Sequence, residues 1–397
     1  MIFNLFPTET AYLAAKKDML PLCLVLLSLV VPVFRPAPAS SFIIDETFRP
    51  VPEKDVPSGR PLGSAAEEEP LRVLFWNLEN FFDWRDGGSG EADREFSAAG
   101  SRHWTRRRFM AKAAAVAKTL LWTADHGGAL PDIFAMAEVE NAFVLRMLLR
   151  ETALRKTDYE MVHFDSPDRR GIDVALLYRR SRFRLLNARP VRIEAVRNGD
   201  TLRTRDILLV QLESGDGNLW TILVNHHPSK FGGGPTDWRR EAAMERLRAL
   251  SDSLSRAGET GIIATGDFND TPDAPVFRRL TASFPETKNT SIPSVHGSSN
   301  EGALLVNLAE PLARRGLGTI RYEGRWELID MFFVPAPLAP RCTMEILAPP
   351  FLTVHDNVHS GDRPFRTWLG PRYIGGVSDH RPILLTILPY RMTHPTL

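Results

Sequence analysis

The clearest indication of this protein's architecture is the stretch GIIATGDFND at residues 261–270. A short run of mostly apolar, β-branched residues that ends in Gly-Asp-x-Asn is typical of a buried strand leading into a polar loop. Asp267 and Asn269 are separated by one residue, so in extended backbone their side chains project to the same side. A carboxylate and an amide that converge in this way suit a site that binds a phosphate and a metal ion.

Similar arrangements occur elsewhere in the chain, where a polar residue lies at or beside an apolar run. These residues are Asn77, Glu138, His226, Asp330, Asp379 and His380. A single strand followed by Asx residues usually indicates only a turn. The repetition predicts instead that several strands bring chemically useful side chains to a common site.

The composition is that of a large globular protein without strong bulk charge. The chain has 397 residues, with 49 Lys and Arg against 48 Asp and Glu, and a formal net charge of +1. That length allows a large core in one or two domains. Near-neutral charge argues against a protein that coats nucleic acid through bulk electrostatics, but it is compatible with an enzyme that has a local basic groove.

Residues 1–39 are predicted to be a signal peptide. Lys16 and Lys17 precede the apolar run Met19–Phe34, and Ala37–Ala39 offers a small-x-small cleavage site. The run is interrupted by prolines and is too short for a spanning helix, so no membrane span is expected after cleavage. The predicted localisation is therefore export, either periplasmic or secreted. An uncleaved anchor is the lesser alternative, and translation from Met19 is a second open question.

Residues 40–70 are rich in Pro, Glu and Ser and are predicted to be a linker. Residues 71–391 are predicted to form one domain, followed by a tail at 392–397. Predicted strands are Leu71–Trp76, Ile133–Ala137, Asp173–Tyr178, Ile207–Leu212, Trp220–Val224, Gly261–Thr265, Leu328–Val334 and Pro382–Leu388. Predicted helices are Arg106–Leu121, Ala142–Leu154 and Trp238–Ala257. Consecutive strands without intervening helices favour an α/β sandwich with much antiparallel pairing over a parallel doubly wound sheet.

Two polar residues are candidate metal ligands. Asn77 follows the apolar run Leu71–Trp76, and Glu138 follows Ile133–Ala137. Both are compatible with a surface loop, and the nearby Asn141 is better explained as the cap of the next helix. A carboxylate directly after a buried strand lies at the sheet rim, however, and can reach a metal. An Asn and a Glu, completed by water and a substrate phosphate, suit Mg²⁺.

Two segments are candidates for phosphate binding. Arg170 precedes a predicted strand; a charged turn is the ordinary interpretation, but a guanidinium also matches phosphate through paired hydrogen bonds. Asn225 and His226 open the segment Asn-His-His-Pro-Ser-Lys, which is typical of an anion-receiving loop. Adjacent side chains of an extended chain point to opposite faces, so only one of His226 and His227 is expected in the site.

Asp330 and His380 are predicted to act together. Asp330 begins an apolar run, where an unpaired carboxylate would cost free energy. His380, which follows Asp379 just before another apolar run, is the natural partner. A carboxylate that fixes one imidazole nitrogen leaves the other free to exchange a proton. A simple strand-entry turn is the alternative for the Asp379-His380 pair.

Taken in order, these motifs resemble the endonuclease/exonuclease/phosphatase superfamily, which includes pancreatic-type deoxyribonucleases, apurinic endonucleases, inositol-polyphosphate phosphatases and bacterial sphingomyelinases. The matching positions are Asn77, Glu138, Arg170-Gly171, Asn225-His226, Gly266-Asp267-Phe268-Asn269, Ile329-Asp330 and Ser378-Asp379-His380. The resemblance extends from about Leu71 to Leu388. It implies a four-layer α/β/β/α sandwich with two mixed, largely antiparallel sheets, and a site where the loops of both sheets converge.

The resemblance also implies a role for each motif residue. Asn77 and Glu138, with Asp379 as a further contributor, would hold a divalent metal, Mg²⁺ or alternatively Mn²⁺. Substrate binding would fall to Arg170 and Asn225, and catalysis to His226, Asp267, Asn269, Asp330 and His380. His380 would act as a general base or as a charged stabiliser, oriented by Asp330.

The predicted function is an exported, metal-dependent phosphodiester hydrolase, with an endonuclease acting on DNA or RNA as the first choice and a monomer as the expected state. Arg102–Arg108, which contains Trp104, is compatible with a nucleic-acid patch or with the solvated start of a helix. A phosphatase or a phospholipid phosphodiesterase could use the same site on a phosphorylated small molecule or a lipid headgroup. A catalytically inert binding module is the least favoured alternative, because every motif position is filled.

Overall fold

The computed structural model describes residues 69–230, 233–277, 281–282 and 305–389, with only the backbone described at 281–282. The predicted signal peptide (1–39) and tail (392–397) lie outside the described residues, as does the predicted linker (40–70) apart from its last two residues. Within the described ranges, no helix has both the length and the apolar character needed to cross a membrane.

The described residues form strands throughout and helices in a few segments. In chain order the strands are β1 (Leu71–Phe81), β2 (Ile133–Val139), β3 (Tyr159–His163), β4 (Asp173–Arg179), β5 (Phe183–Val191), β6 (Val196–Arg197), β7 (Asp200–Thr201), β8 (Ile207–Ser214), β9 (Leu219–His226), β10 (Ile262–Asp267), β11 (Thr281–Ala282), β12 (Leu305–Asn307), β13 (Ile320–Tyr322), β14 (Arg325–Glu327), β15 (Asp330–Pro335), β16 (Cys342–Ile346), β17 (Thr353–His355), β18 (Asp362–Pro364), β19 (Trp368–Leu369), β20 (Arg372–Tyr373) and β21 (Ile383–Ile387). The α-helices are α1 (Arg106–Gly127), α2 (Ala142–Glu151), α3 (Asp237–Arg256) and α4 (Glu310–Arg314). Short 3₁₀ helices lie at Ala153–Lys156, Gly234–Thr236, Pro275–Phe277, Ala339–Arg341 and Pro350–Leu352.

Two large mixed sheets dominate the fold. The first has the order β16-β21-β1-β2-β4-β3, and the second has the order β11-β12-β15-β10-β9-β8-β5. Within them β1 with β2, β9 with β10, and β11 with β12 are parallel, whereas the other neighbours are antiparallel. This confirms the predicted α/β class with two mixed, largely antiparallel sheets.

Side chains on the two faces of β1 pack into two different apolar clusters. Val73 and Phe75 belong to an apolar cluster that also contains residues of β8, β9 and β10 from the second sheet. Leu74 and Trp76 belong to another cluster, together with Phe109 and other residues of α1 and α2. Successive side chains of a strand point to opposite faces, so a strand covered on both faces must be apolar along its whole length. This explains the continuous apolar run Val73–Trp76 in β1.

The predicted elements are present, but several end later than the sequence pattern indicated. β1 was expected to stop at Trp76 and continues to Phe81, while β9 and β10 extend to His226 and Asp267. His226 and Asp267, which were assigned to loops, are therefore the last residues of their strands, while Asn77 lies within β1. The helix predicted from Ala142 ends at Glu151 and continues as a short 3₁₀ helix. Within the two large sheets, strands β3, β5, β11, β12 and β16 were not predicted, and neither were the short strands of the small hairpins.

Gly266 allows β9 and β10 to approach each other just before the site. A Cβ at this position would lie 2.2 Å from the carbonyl oxygen of Asn225. We expect Gly266→Ala to lower the free energy of unfolding by about 1–3 kcal/mol, as for overpacked core positions. Urea denaturation would measure this. Gly127→Ala is the matched control, because a Cβ there meets nothing within 4 Å; identical midpoints for the two variants would contradict the expectation.

Candidate active site

Strand register in the second sheet brings three predicted residues to one level. Asp267, the last residue of β10, pairs with His226 of the parallel strand β9 and with Asp330 of the antiparallel strand β15. Residues opposite one another on neighbouring strands project to the same face of a sheet. All three side chains are buried. A carboxylate, an imidazole and a second carboxylate thus lie side by side at one end of the sheet.

The first sheet supplies further predicted residues from the facing side. Asn77 lies in β1, and its Nδ2 donates a hydrogen bond of 2.9 Å to Asp267 Oδ2 in the other sheet. His380 precedes β21 and is held to β1 through its carbonyl oxygen, which accepts from Trp76 Nε1 at 2.9 Å. Ser378 Oγ donates to the Asn77 carbonyl oxygen at 2.6 Å. The Asn77–Asp267 bond joins the two sheets, and the other two bonds hold the segment before β21 against β1.

Asp267 is the centre of the resulting group. Besides Asn77, its Oδ2 lies 3.6 Å from His226 Nε2 and 3.8 Å from His380 Nε2. Its Oδ1 accepts a 2.9 Å hydrogen bond from the backbone N–H of Asn269. Asn269 Nδ2 in turn donates to the carbonyl oxygen of His227 at 2.9 Å. The carboxylate is therefore fixed at both oxygens.

His380 is oriented by Asp330, as the sequence suggested it would be. His380 Nδ1 lies 2.8 Å from Asp330 Oδ2, and the other ring nitrogen faces Asp267. Burial acts to lower the pKa of His380, but the negative charges of Asp330 and Asp267 outweigh it and hold the pKa well above its usual value. The imidazole is therefore a cation near neutral pH.

The other two titratable groups shift in different directions. Burial, reinforced by the charge of Asp330, raises the pKa of Asp267 to about 7 despite the opposing charge of His380. Burial and the positive charges of Arg205 and Arg170 lower the pKa of His226 well below its usual value. The site thus combines a neutral His226, a cationic His380 and a carboxyl group that titrates near neutrality.

Glu138 reaches the site through an irregular backbone. It has φ of +62°, and the β2–β4 register shifts between Ala137 and Val139, so Glu138 occupies a β-bulge. Its Oε2 accepts a 2.6 Å hydrogen bond from the backbone N–H of Asn80, and its Oε1 lies 3.9 Å from His226 Nε2. Positive φ at a non-glycine residue is uncommon and costs free energy. Here the bulge aims a carboxylate at the other site residues.

Arg170 lies at the rim of the same group. Its Nη2 is 3.7 Å from Glu138 Oε2 and also donates a hydrogen bond to Asn80 Oδ1. The side chain is 44% exposed, so the guanidinium is accessible to a ligand that approaches from solvent. Arg170 is placed where it can bind an anionic oxygen beside Glu138.

The donor set fits a hard divalent cation. Asp267, Asp330 and His380 have ligand atoms within 4.8 Å of one another, but Asp330 and His380 are already bonded to each other. The oxygen donors that remain are Asp267, Glu138 and the amide of Asn77. Carboxylate and amide oxygens are the ligands preferred by Mg²⁺ and accepted by Mn²⁺.

Two predicted residues are not brought into contact with this group. Asp379 Oδ2 accepts a 2.6 Å hydrogen bond from Arg366 Nη2, and in the described ranges no hydrogen bond joins Asp379 to Glu138 or Asn77. Asn225 is fully buried, and its Nδ2 donates to backbone carbonyl oxygens of β9 and β10. Its neighbour His226 points the opposite way, into the site. Asn225 therefore holds the two strands together, and this placement does not support the predicted contact with substrate.

A buried guanidinium that the sequence did not single out connects two parts of the site. Arg205 Nη1 donates to Asp168 Oδ2, and its Nη2 donates to the carbonyl oxygen of His227, both at 2.9 Å. Asp168 Oδ1 accepts the backbone N–H of Arg170 at 3.0 Å. Arg205 thus links the end of β9 to the loop that carries Arg170. The only feature of the sequence that could have indicated Arg205 is a polar triplet, residues 204–206, directly before an apolar run.

A second unpredicted residue, Lys112, supports the end of β1 that follows Asn77. Lys112 is buried in α1, and its Nζ donates to the carbonyl oxygen of Glu79 at 2.6 Å and to Thr367 Oγ1 at 2.9 Å. Burial raises the pKa of Glu79 and lowers that of Lys112. The sequence feature that could have indicated Lys112 is its position on the apolar face of the predicted helix, three residues after Phe109.

The basic segment Arg102–Arg108 does not form an aromatic nucleic-acid platform. Trp104 is fully buried and donates its indole N–H to the carbonyl oxygen of Phe82 at 2.7 Å. Arg102 forms a 2.6 Å ion pair with Glu95. Since the aromatic residue is inaccessible and one cation is paired, the segment serves mainly as the start of α1.

Comparisons with known proteins point to one family. A model of the Endonuclease/Exonuclease/phosphatase family matches residues 72–388. Nocturnin from Rattus norvegicus is 26% identical over 166 residues, which is 38% of this chain; the chain spans 36% of that protein's length. The structure of the human nocturnin catalytic domain with bound sulfate is 16% identical, covering 80% of this chain and 94% of that chain with a TM-score of 0.47. A mannosyl-6-phosphatase from Bacteroides thetaiotaomicron is 15% identical, covering 80% of this chain and 100% of that chain with a TM-score of 0.47.

Proposed function

This chain belongs to the endonuclease/exonuclease/phosphatase family, and on that premise we propose that it hydrolyses phosphodiester bonds with the help of a divalent metal ion. The observation that carries the proposal is the convergence on Asp267. Asn77 from the first sheet, His226 from the next strand and the His380 imidazolium all lie within 4 Å of its Oδ2. Such a cluster of one carboxylate with a donor amide and two imidazoles suits a reaction that activates water beside an anion.

Glu138 and Asn77 are the proposed metal ligands, with Mg²⁺ as the first choice and Mn²⁺ as the alternative. When bound, the ion would offset the negative charge that accumulates on phosphoryl oxygens. Glu138 is well placed for this because its Oε1 accepts no hydrogen bond from the residues that the structure describes, and His226 Nε2 lies 3.9 Å from it. The predicted contribution of Asp379 is less well supported, since Arg366 already pairs with its carboxylate.

Asp267 is the proposed proton acceptor for the attacking water. A general base is most effective when its pKa lies near the working pH, and the pKa of about 7 meets that condition. The hydrogen bonds from Asn77 and from the Asn269 backbone fix the carboxylate and leave little freedom to rotate. Asn269 therefore acts by positioning Asp267 as well as by facing the phosphate.

The cationic and neutral donors are proposed to bind the phosphate itself. His380 carries a positive charge that Asp330 fixes in place, so it would stabilise charge growing on the phosphoryl oxygens. Arg170 adds a guanidinium at the rim. His226 is neutral and can donate a hydrogen bond through Nε2 without adding charge. In-line attack by water would then displace the leaving oxygen.

We further propose that the substrate is nucleic acid, that cleavage is endonucleolytic, and that the enzyme is an exported monomer. Export is supported only by the apolar run and cleavage site within residues 1–39. A polyanionic substrate such as nucleic acid is favoured by the exposed arginines Arg203 and Arg239, which line one groove.

The test is hydrolysis by the purified chain with Mg²⁺ or Mn²⁺ and then with EDTA. Supercoiled plasmid, RNA, sphingomyelin and an inositol polyphosphate would be incubated in parallel with bis(p-nitrophenyl) phosphate. We expect nicking of plasmid or cleavage of RNA that EDTA abolishes, because Glu138 and Asn77 are proposed to act through a bound divalent ion. Turnover of only the lipid or the inositol phosphate would overturn the substrate, and activity that persists in EDTA would overturn the metal dependence.

A further inference from the structure

A groove with a volume of about 430 Å³ is lined by Arg169, the residue that precedes Arg170 in the chain. Its walls come from the loop before β4, from the β7 region before β8, and from the first turn of α3. The residues that matter for its chemistry are Arg169, Arg203, Trp238, Arg239, Glu91 and Asp200. We call this the arginine groove. It is distinct from the group around Asp267, and none of these residues takes part in the proposed chemistry.

The arginine groove carries unpaired positive charge. Arg169 is paired with Glu91, at 3.0 Å. Arg203 and Arg239 are exposed and have no carboxylate partner among the described residues, so Asp200 is the one acid left to oppose two free guanidinium groups. Guanidinium groups held in a concave surface attract and bind phosphate.

Each groove arginine is close in sequence to a residue fixed at the site. Arg169 precedes Arg170, and Arg203 lies two residues before Arg205, which is bonded to His227. Arg239 precedes Arg240, whose guanidinium is bonded to Asp270 at 3.2 Å; a second Arg240 bond, of 3.3 Å, reaches the carbonyl oxygen of residue 229. Consecutive Cα atoms are about 3.8 Å apart, so Arg169 adjoins Arg170, while Arg203 and Arg239 lie within two residues of arginines bonded to the loops after β9 and β10. A ligand in the groove would therefore lie next to a phosphate bound by Arg170.

Trp238 adds an aromatic surface to the same groove. Part of the indole packs against the core, and the side chain is only half-buried. The guanidinium of Arg239 lies 5.8 Å from the centre of its ring. An aromatic ring combined with arginine is the usual means of holding a nucleic-acid base and its backbone without reading sequence. A volume of a few hundred Å³ is suited to a ligand the size of one nucleotide.

We propose that the arginine groove binds the nucleotide adjacent to the scissile phosphate of a single-stranded nucleic acid, with its phosphate on Arg203 and Arg239 and its base on Trp238. The proposal rests on the proposed phosphodiesterase function and names its substrate class. A substrate with a single phosphate would leave both free arginines without a ligand. A lipid would need an apolar entrance, whereas the groove walls are mainly charged. The basic segment Arg102–Arg108 does not compete for this role, because Trp104 is buried.

Binding is measured first, in EDTA, by the fluorescence anisotropy of a labelled oligothymidylate. The variants are the double variant Arg203→Ala/Arg239→Ala, Trp238→Ala, and the exposed Arg315→Ala as the matched control. We expect Trp238→Ala to weaken binding by about 5- to 100-fold. The double variant should reduce the slope of log K against log salt by about 0.7, because the two arginines are proposed to hold one phosphate and single-stranded binding changes by about 0.7 per phosphate contact. Equal affinities and equal slopes in all four proteins would overturn the proposal.

Hydrolysis of bis(p-nitrophenyl) phosphate separates this proposal from the proposed function. All groove variants should retain the wild-type kcat/KM on this small diester while losing activity on the oligonucleotide through KM. If the wild-type protein does not hydrolyse the diester, the proposed phosphodiesterase function is wrong. The anisotropy measurement still tests whether the groove binds nucleic acid, because it does not depend on hydrolysis. If inositol hexakisphosphate displaces the oligonucleotide as well as unlabelled oligothymidylate does, and Trp238→Ala has no effect, the groove binds a free polyphosphate and the nucleic-acid assignment is wrong.

Discussion

His380→Asn is expected to lower kcat by about 10²–10⁴-fold while the protein stays folded, the range typical of removing a group that acts on the reacting atoms. The side-chain amide of Asn can take the place of the Nδ1–H that faces Asp330 at 2.8 Å, so that buried carboxylate keeps a donor. What is lost is the second ring nitrogen beside Asp267 and the positive charge. The measurement is steady-state hydrolysis of bis(p-nitrophenyl) phosphate at saturating metal.

The matched control for this substitution is His355→Asn, because His355 is 68% exposed in the short strand β17. It should retain full activity. Urea midpoints of both variants should stay close to that of the wild type. A His380→Asn enzyme with unchanged kcat would remove this residue from the proposed mechanism, whatever its effect on stability.

Asp267→Asn is expected to reduce kcat by a similar factor, about 10²–10⁴-fold, because the proposed proton acceptor loses its basicity. The amide keeps the size of the side chain and an oxygen that accepts the backbone N–H of Asn269. Asp273→Asn, an exposed carboxylate in the loop after β10, is the control and should be fully active. Equal activity of the two variants would show that the base lies elsewhere.

Asp267→Asn is also expected to increase stability relative to the wild type, by an amount that depends on pH. The pKa of Asp267 is raised to about 7 in the folded protein, so the stability associated with this group is fully present below its unfolded pKa and is lost as pH rises through about 7. Asn cannot titrate. In EDTA, the free energy of unfolding of Asp267→Asn should therefore improve relative to the wild type as the pH is raised from about 4 to above 7. Urea denaturation at several pH values measures the difference, and a difference that does not vary with pH would contradict the assigned shift.

Much of the candidate site was visible in the sequence because it is encoded locally. The apolar runs before Asn77, Glu138 and Asp267 mark buried strands, and the polar residue after each run marks a sheet end. Asp330 and His380 were paired on the argument that a carboxylate in an apolar strand needs a partner, and the structure places them 2.8 Å apart. Their roles in catalysis stay predictions.

Other residues were placed differently because their partners are remote in sequence. Asp379 was predicted as a metal ligand, yet Arg366 pairs with it. Trp104 looked available for nucleic acid, yet it lies in the core under α1. Arg205 had almost no local signal, although it joins two loops of the site. None of these contacts can be predicted from the spacing of apolar residues or from the residue types in turns, because both describe only residues that are close in sequence.

The sequence by itself determined the class of fold and the list of residues that could do chemistry, because burial periodicity and residue type are local properties of a chain. Only the tertiary structure decided which of them meet. The register of β9, β10 and β15 sets His226, Asp267 and Asp330 at one level, and register depends on strand pairing across long stretches of chain. Burial then makes Asp267 titrate near neutrality and keeps His226 uncharged, since desolvation exists only once the two sheets have packed.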